Sequence, residues 1–210
     1  HWENPEVAAK VRAYIYEGGG FIGIGQPSAC GKGGRFFMLA DAIGVDEELS
    51  FSMISPKYNY KKAESHFILQ DKTQDIDYGN ELNNIFALES TEVLDIAADK
   101  TLGLGISAGH VRMAVHEYGN GRCFYMNGIR YNAENARILY RAMLWSAHKE
   151  NELKKAFSSN VKTECHYYPK KRKYAIANNF AEICDTEFYD IHGNMQKLSL
   201  NPLEIKWVQE

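Results

Sequence analysis

The apolar positions along the chain fall into runs that predict its elements. Val7, Val11, Tyr14 and Ile15 recur at helical spacing and make one apolar face. Asn4, just ahead of them, is a good N-cap, and Pro5 fits the first helical position, where its missing N–H costs nothing. Gly18-Gly19-Gly20 predicts the helix end, since glycine takes the left-handed conformation used there. Phe21 to Ile24 is an unbroken apolar run, the mark of a strand buried on both faces. Helix, glycine turn, buried strand and a glycine-proline loop make half of a βαβ crossover, which points to an α/β domain built on a parallel sheet.

Phe36, Phe37, Leu39, Ala40 and Ile43 predict a short helix closed by Gly44. Ser65–Leu69 and Val93–Ala98 read as strands, with exposed connections at Lys57–Lys62 and Asp71–Gly79. Val111–Glu117 and Arg122–Met126 flank Tyr118-Gly119-Asn120-Gly121, whose Asn and Gly supply the positive φ of a hairpin turn. Asn132 caps a long helix carrying Ala136, Leu139, Met143 and Ala147 on one stripe, widened by Ile138, Ala142 and Trp145. Arg137, Arg141, His148 and Lys149 are read onto its exposed side, where positive charge near the end suits the helix dipole. Beyond Asn151 the composition shifts. A polar stretch reads as a linker, followed by closely spaced strand-like runs at 164–168, 174–178, 186–191, 197–200 and 203–208. The expected organisation is an α/β domain over 1–150, a linker over 151–163 and a small antiparallel β domain over 164–210.

Charge and cysteine usage narrow the function classes. With a net charge of -3 the chain has no general attraction to nucleic acid or anionic membranes. No apolar run approaches bilayer length, and no signal peptide is visible. Cys30, Cys123, Cys165 and Cys184 form no CxxC pair, which suits a reduced, cytoplasmic compartment. A parallel α/β domain normally opens on a strand, yet a helix cap follows His1-Trp2-Glu3 at once. That favours a chain cut from a longer protein, with the N-terminal strands of its first domain missing.

Few residues carry chemistry. Gly23-Ile24-Gly25-Gln26-Pro27-Ser28 begins like a dinucleotide fingerprint, but the third glycine is missing, Pro27 interrupts the turn and no helix opens after it. Gly31-Lys32-Gly33-Gly34-Arg35 lacks the Gly-Lys-Ser/Thr ending of a phosphate loop, yet it sets two cations among glycine amides that suit an anion. Cys30 lacks the frame of a nucleophile elbow and reads as a small buried thiol. His110 and His116 are too few for a metal site, and His116 reads as structural or surface. Asp41, Asp46, Glu47 and Glu48 lie in one local segment, so they read as a solvated turn and not as a glycosidase pair. Lys170-Lys171-Arg172-Lys173 reads as an exposed turn.

Trp2-Glu3-Asn4-Pro5-Glu6-Val7 followed by Gly18 to Ala29 resembles the middle domain of the lacto-N-biose phosphorylases, the 1,3-β-galactosyl-N-acetylhexosamine phosphorylases of glycoside hydrolase family 112. Phe36–Asp41, Ile43–Asp46 and Tyr118–Arg122 with the helix after Asn132 continue the similarity. Glu164–Pro169 and Pro202–Trp207 resemble the family's C-terminal β domain. Gln26 stands where the family pattern Gly-x-Gly-Glu-Pro has Glu. The resemblance implies a glutaminase-like (flavodoxin-like) α/β domain, its partly parallel sheet flanked by helices, followed by the small antiparallel β domain. It further implies an N-terminal TIM-like barrel as partner within the same protein, a homodimer, and inorganic phosphate as a substrate with no cofactor. The acid of such an inverting enzyme lies in the barrel, so the resemblance places no catalytic or metal residue here. Ser28, Lys32 and Arg35 are the candidates for contact with phosphate or substrate, because loops at the C-terminal edge of parallel strands form such sites. Two other readings stay open. One is a carbohydrate-binding or interaction module using Tyr167, Tyr168, Tyr189 and Trp207; the other is a glutaminase-like enzyme using Cys30.

Overall fold

A computed structural model describes residues 4–29, 36–48, 60–80, 83–98 and 109–210. The first part of the chain runs α1 (Pro5–Tyr16), β1 (Gly20–Ile24), α2 (Ala40–Ile43), β2 (Val45–Glu47), β3 (Ile85–Ala87), β4 (Glu92–Ala98), β5 (Gly109–Tyr118), β6 (Gly121–Met126) and α3 (Ala133–Ser146). The rest runs β7 (Phe157–Ser158), β8 (Thr163–Tyr168), β9 (Lys173–Asn178), β10 (Cys184–Tyr189), β11 (Met195–Leu200) and β12 (Ile205–Gln209).

Both ends of α1 follow their sequence signals. Asn4 Oδ1 accepts the Glu6 N–H at 2.9 Å. At the other end Gly18, at φ +116°, donates to the Ile15 carbonyl, and Gly19 donates to that of Tyr14. This is the paired bonding of a Schellman motif. The buried face differs from the expected one. Ala8 and Ile15 are buried and Val11 half-buried, whereas Val7 and Tyr14 are 40% and 58% exposed. The stripe includes Arg12, whose guanidinium holds Asp41 at 2.9 Å and the Met38 carbonyl at 2.6 Å. Ranking by hydrophobicity passed over a small residue and an ion-paired one.

The main sheet has the order β1-β6-β5-β4. Among the described residues only β1 and β6 run parallel; β5 is antiparallel to both its neighbours. The sheet is therefore mixed, not the parallel sheet that the opening unit suggested. β1, an edge strand among the described residues, is also less buried than its composition implies, with Phe21 and Ile22 half-buried and Ile24 exposed. The β5–β6 hairpin forms where expected, with Tyr118 opposite Gly121. Helices cover both faces. Ala8, Ile15 and the α2 residues pack with Val111 and Tyr125 on one side, and Ile138, Ala142 and Trp145 of α3 pack with Met113, Phe124 and Met126 on the other.

Three local expectations change. The apolar run ending at Leu69 is a 3₁₀ turn over Phe67–Leu69, and His66 Nδ1 accepts the Ile68 N–H. A run this short does not distinguish strand from turn. The helix at α2 starts only at Ala40, because Phe36 and Phe37 give their N–H groups to Asp46 and Phe37 bridges to Ala29. Arg141 of α3 is buried and Arg137 nearly so, in ion pairs with Asp71.

The C-terminal region contains two three-stranded antiparallel sheets, β11-β10-β7 and β12-β9-β8. Tyr174, Ile176, Phe188 and Leu200 form their shared core. Within the polar stretch 151–163, Phe157 and Ser158 are buried and pair with Tyr189 and Phe188.

Candidate functional site

The loop after β1 leaves the C-terminal end of the parallel pair and is tied down at once. The Gly25 N–H donates to the Met126 carbonyl, and the Tyr125 hydroxyl donates to the Gly25 carbonyl, both at 2.9 Å. Ser28 is buried at φ +60°. Its Oγ accepts the Leu39 N–H at 3.1 Å and its carbonyl accepts the Met38 N–H at 2.9 Å. Ser28 thus anchors the loop to the approach of α2. Lys32 and Arg35, the two cationic candidates, lie outside the described residues, as does Cys30.

The acidic segment behind the loop is not a solvated turn. Asp46 is 4% exposed, and its Oδ1 accepts the N–H groups of Phe36, Phe37 and Glu47 at 3.1, 2.8 and 2.9 Å. One carboxylate oxygen therefore organises the return of the loop onto β2. Asp46→Ala leaves these donors unmatched and is expected to lose about 3 kcal/mol of stability, given ~1–3 kcal/mol for each orphaned buried group. Urea denaturation checks this, and Asp46→Asn, which keeps an acceptor at Oδ1, should lose less.

The next carboxylate along, Glu47, accepts from Gln26 Nε2 at 2.7 Å. Burial raises the Glu47 carboxyl above its ordinary range, and the Gln26 bond pulls it only partly back. The family-pattern position held here by Gln26 thus supports a carboxylate from β2 in place of supplying one. Asn127, at the end of β6, was not singled out from the sequence. Its amide donates to the carbonyls of Asn83 at 2.8 Å and Val111 at 3.2 Å, and its Oδ1 accepts the Asn83 N–H at 3.0 Å. An asparagine directly after a buried strand was the available signal.

The remaining candidates divide between buried and exposed groups. His116 is buried with Nδ1 3.2 Å from Thr91 Oγ1, and burial lowers its pKa, favouring the neutral ring. Burial pushes the Cys123 and Cys165 thiols up to about 12, which suits inert packing groups and not thiolate nucleophiles. Of the aromatics in the β region, Tyr167 packs on Tyr174 and Tyr189 on Phe157. Tyr168 and Trp207 form an exposed pair with centroids 5.5 Å apart.

A second polar centre joins the two parts of the chain. Asp71 accepts from Arg141 at 2.7 Å and from Arg137 at 3.1 Å. Arg137 reaches on to the carbonyls of Ser158 and Ser159 at 2.8 and 3.3 Å and lies over the Phe157 ring at 4.4 Å. Arg141 lies over the Phe67 ring at 4.8 Å and donates to the Phe67 carbonyl.

Residues 1–151 match the family model described as lacto-N-biose phosphorylase central domain, and residues 157–208 match the one described as lacto-N-biose phosphorylase C-terminal domain. The chain is 42% identical over 207 residues to the 1,3-β-galactosyl-N-acetylhexosamine phosphorylase Cphy3030 of Lachnoclostridium phytofermentans, covering 99% of the chain and 27% of that relative. It is 29% identical over 238 residues to the 1,3-β-galactosyl-N-acetylhexosamine phosphorylase of Bifidobacterium longum subsp. longum, covering 98% of the chain and 30% of that relative. The chain thus spans less than a third of the length of these relatives. Among solved structures, a cold-adapted β-galactosidase from Rahnella sp. R3 aligns over 96% of this chain and 30% of its own, with a TM-score of 0.61 and 16% identity. The β-galactosidase from Bacillus circulans sp. alkalophilus aligns over 97% of this chain and 30% of its own, with a TM-score of 0.51 and 15% identity. At such identities the likeness concerns the fold alone. The match of both family models, together covering nearly all 210 residues, shows that the chain belongs to the lacto-N-biose phosphorylase family.

Proposed function

We propose that the chain is the C-terminal portion of an inverting phosphorylase that cleaves galactosyl-β-1,3-N-acetylhexosamine with inorganic phosphate. The products are α-galactose 1-phosphate and the free N-acetylhexosamine. The observation that carries this reading is the similarity, over 98–99% of the chain, to relatives named for phosphorylases of this disaccharide class. Phosphate attacks the face opposite the departing sugar and takes the place of the water and base of an inverting hydrolase. One carboxylic acid then suffices to protonate the leaving oxygen, and it belongs to an N-terminal TIM-like barrel.

In this reading the 210 residues contribute no catalytic group and bind no cofactor. A glutaminase-like α/β domain and the small β domain support the barrel and build a homodimer in the cytoplasm. The described polar groups around the β1 loop fit a supporting role, since Ser28, Asp46 and Asn127 all hold backbone groups. Lys32 and Arg35 are the phosphate contacts. In the full-length enzyme, Lys32→Ala with Arg35→Ala should raise KM for phosphate about tenfold, the effect of losing about 1.4 kcal/mol, with KM for the disaccharide unchanged. An unaltered phosphate dependence removes these residues from the site. Galactose 1-phosphate formed by the 210-residue chain alone would overturn the supporting role.

A further inference from the structure

We propose that the cleft between α3 and the C-terminal β sheets binds a neutral pyranose sugar, with the hydroxyls of Tyr131 and Tyr140 and the side-chain amide of Asn179 as its polar contacts. The proposal stands on the lining of this cleft and not on the reaction assigned to the longer protein.

The cleft is a cavity of about 610 Å³. That lies within the range of about 300–1,000 Å³ for small-molecule sites. One wall is a stripe of α3, on which Ala133, Ala136 and Tyr140 recur at three- and four-residue steps. The two alanines leave the room that larger side chains would fill. The facing wall comes from β7, the start of β8 and the segment after β9, and includes Ser158, Thr163 and Phe180. Tyr131, just ahead of α3, is 89% exposed and Phe180 38%. Aromatic rings with a few placed polar groups are the usual lining of a ligand site. The aromatics that the sequence offered for sugar binding, Tyr167, Tyr168, Tyr189 and Trp207, are not part of this lining.

The polar groups decide the chemistry. The charged ones are already committed. Arg137 is spent on Asp71 and on the Ser158 and Ser159 carbonyls, and Glu164 lies 3.0 Å from His166 Nε2. Thr163 Oγ1 is engaged with Ser158 Oγ at 2.9 Å, and Asn132 Oδ1 caps α3. The Tyr131 and Tyr140 hydroxyls and the Asn179 side chain, by contrast, have no hydrogen-bond partner among the described residues. All three groups are neutral, and each can both donate and accept. A phosphate or carboxylate ligand calls for an uncommitted cation, which this lining does not offer. A wholly apolar ligand would shut the three groups away from water unpaired, which is costly. A pyranose meets both features. Its C–H face packs on an aromatic ring, and its hydroxyls donate and accept in turn. A sugar reaching from α3 to Asn179 touches both parts of the chain, beside the Arg137 bridge that already joins them.

Hydrogen exchange of the full-length protein, read by mass spectrometry with phosphate left out, tests this. The probes are galactose, N-acetylglucosamine and a galactosyl-β-1,3-N-acetylhexosamine. At ten times its Kd, at least one should slow exchange over 131–140 and 157–166 by about tenfold through mass action. Inorganic phosphate should not. Tyr131→Ala and Asn179→Ala alter exposed side chains, so folding is not at issue. Each should raise the Kd for this protection about tenfold, the effect of losing one good contact. Ala136→Trp fills the cleft and should abolish the protection. Lys171→Ala, in an exposed turn, should leave it unchanged. Exchange that none of the three sugars slows overturns the proposal. So does protection that survives Tyr131→Ala and Asn179→Ala with an unaltered Kd, or equal protection by inorganic phosphate. A protein that shows the protection but forms no galactose 1-phosphate keeps the cleft and loses the reaction; an active enzyme without the protection does the reverse.

Discussion

Replacing Asp71 by alanine is expected to destabilise the chain by about 3 kcal/mol, at the lower end of the range for breaking a buried ion pair. The carboxylate answers two guanidiniums whose side chains are only 4% and 10% exposed, Arg141 and Arg137. Without it, two positive charges sit close together in a poorly solvated place. The effect stays at the lower end because both arginines keep carbonyl partners and aromatic rings. The loss should be visible in urea denaturation as a lower midpoint with an unchanged slope, since the compactness of the two end states is not altered. The pH dependence gives a sharper check. Burial raises the Asp71 carboxyl, but the bonds to Arg141 and Arg137 outweigh it and hold the group below its ordinary value. A depressed folded value contributes stability that is present above the unfolded value, near pH 4, and lost as pH falls through the folded one. The gap between the wild type and Asp71→Ala should therefore be full at neutral pH and narrow below about pH 4. A gap that persists undiminished into strong acid would show that packing, not charge, holds the junction.

Gly121→Ala is expected to be as damaging, at about 3 kcal/mol or more, with loss of soluble yield. A Cβ at this position would lie 2.0 Å from the Ile15 carbonyl oxygen and 2.5 Å from that of Gly19. Both obstacles are backbone, at the point where α1 ends and β1 is about to begin. Relief requires moving the helix end or the hairpin, and overpacking of that kind costs about 1–3 kcal/mol or more. Asn120→Ala, next in the chain and exposed, should stay within about 0.5 kcal/mol and serves as the control. Equal stability of the two variants in denaturant would mean that the helix end yields without strain.

The same glycine shows what the sequence made legible and what it left hidden. The Tyr118–Gly121 turn was readable because Gly and Asn are turn residues, and Gly119 does take φ +61°. Gly121 is needed for a different reason, the closeness of α1, which no local pattern expresses. The α1 and α3 caps were readable because capping is a contact between residues two or three apart; Asn132 Oδ1 accepts the Asn135 N–H as expected. The hidden parts involve long separations. Arg137 and Arg141 look like ordinary surface charge until Asp71, 66 and 70 residues away, is placed beside them. Asp46 looks like one acid in an acidic run, and only the fold shows that three backbone amides converge on it. The glycine-proline segment that carries Ser28 was legible as the loop following β1. The anchoring function of Ser28 depends on its bond to Leu39 across the loop.

The pairing of β1 with β6 also sets an order of events during synthesis. Gly20 lies beside Arg122, so the sheet closes a loop of roughly one hundred residues. The β5–β6 hairpin spans only its own turn and can form by itself in microseconds, well ahead of so distant a closure. On the ribosome more than half of these residues must emerge before β1 meets the strand it pairs with, and until then its apolar side chains are in the care of chaperones or water.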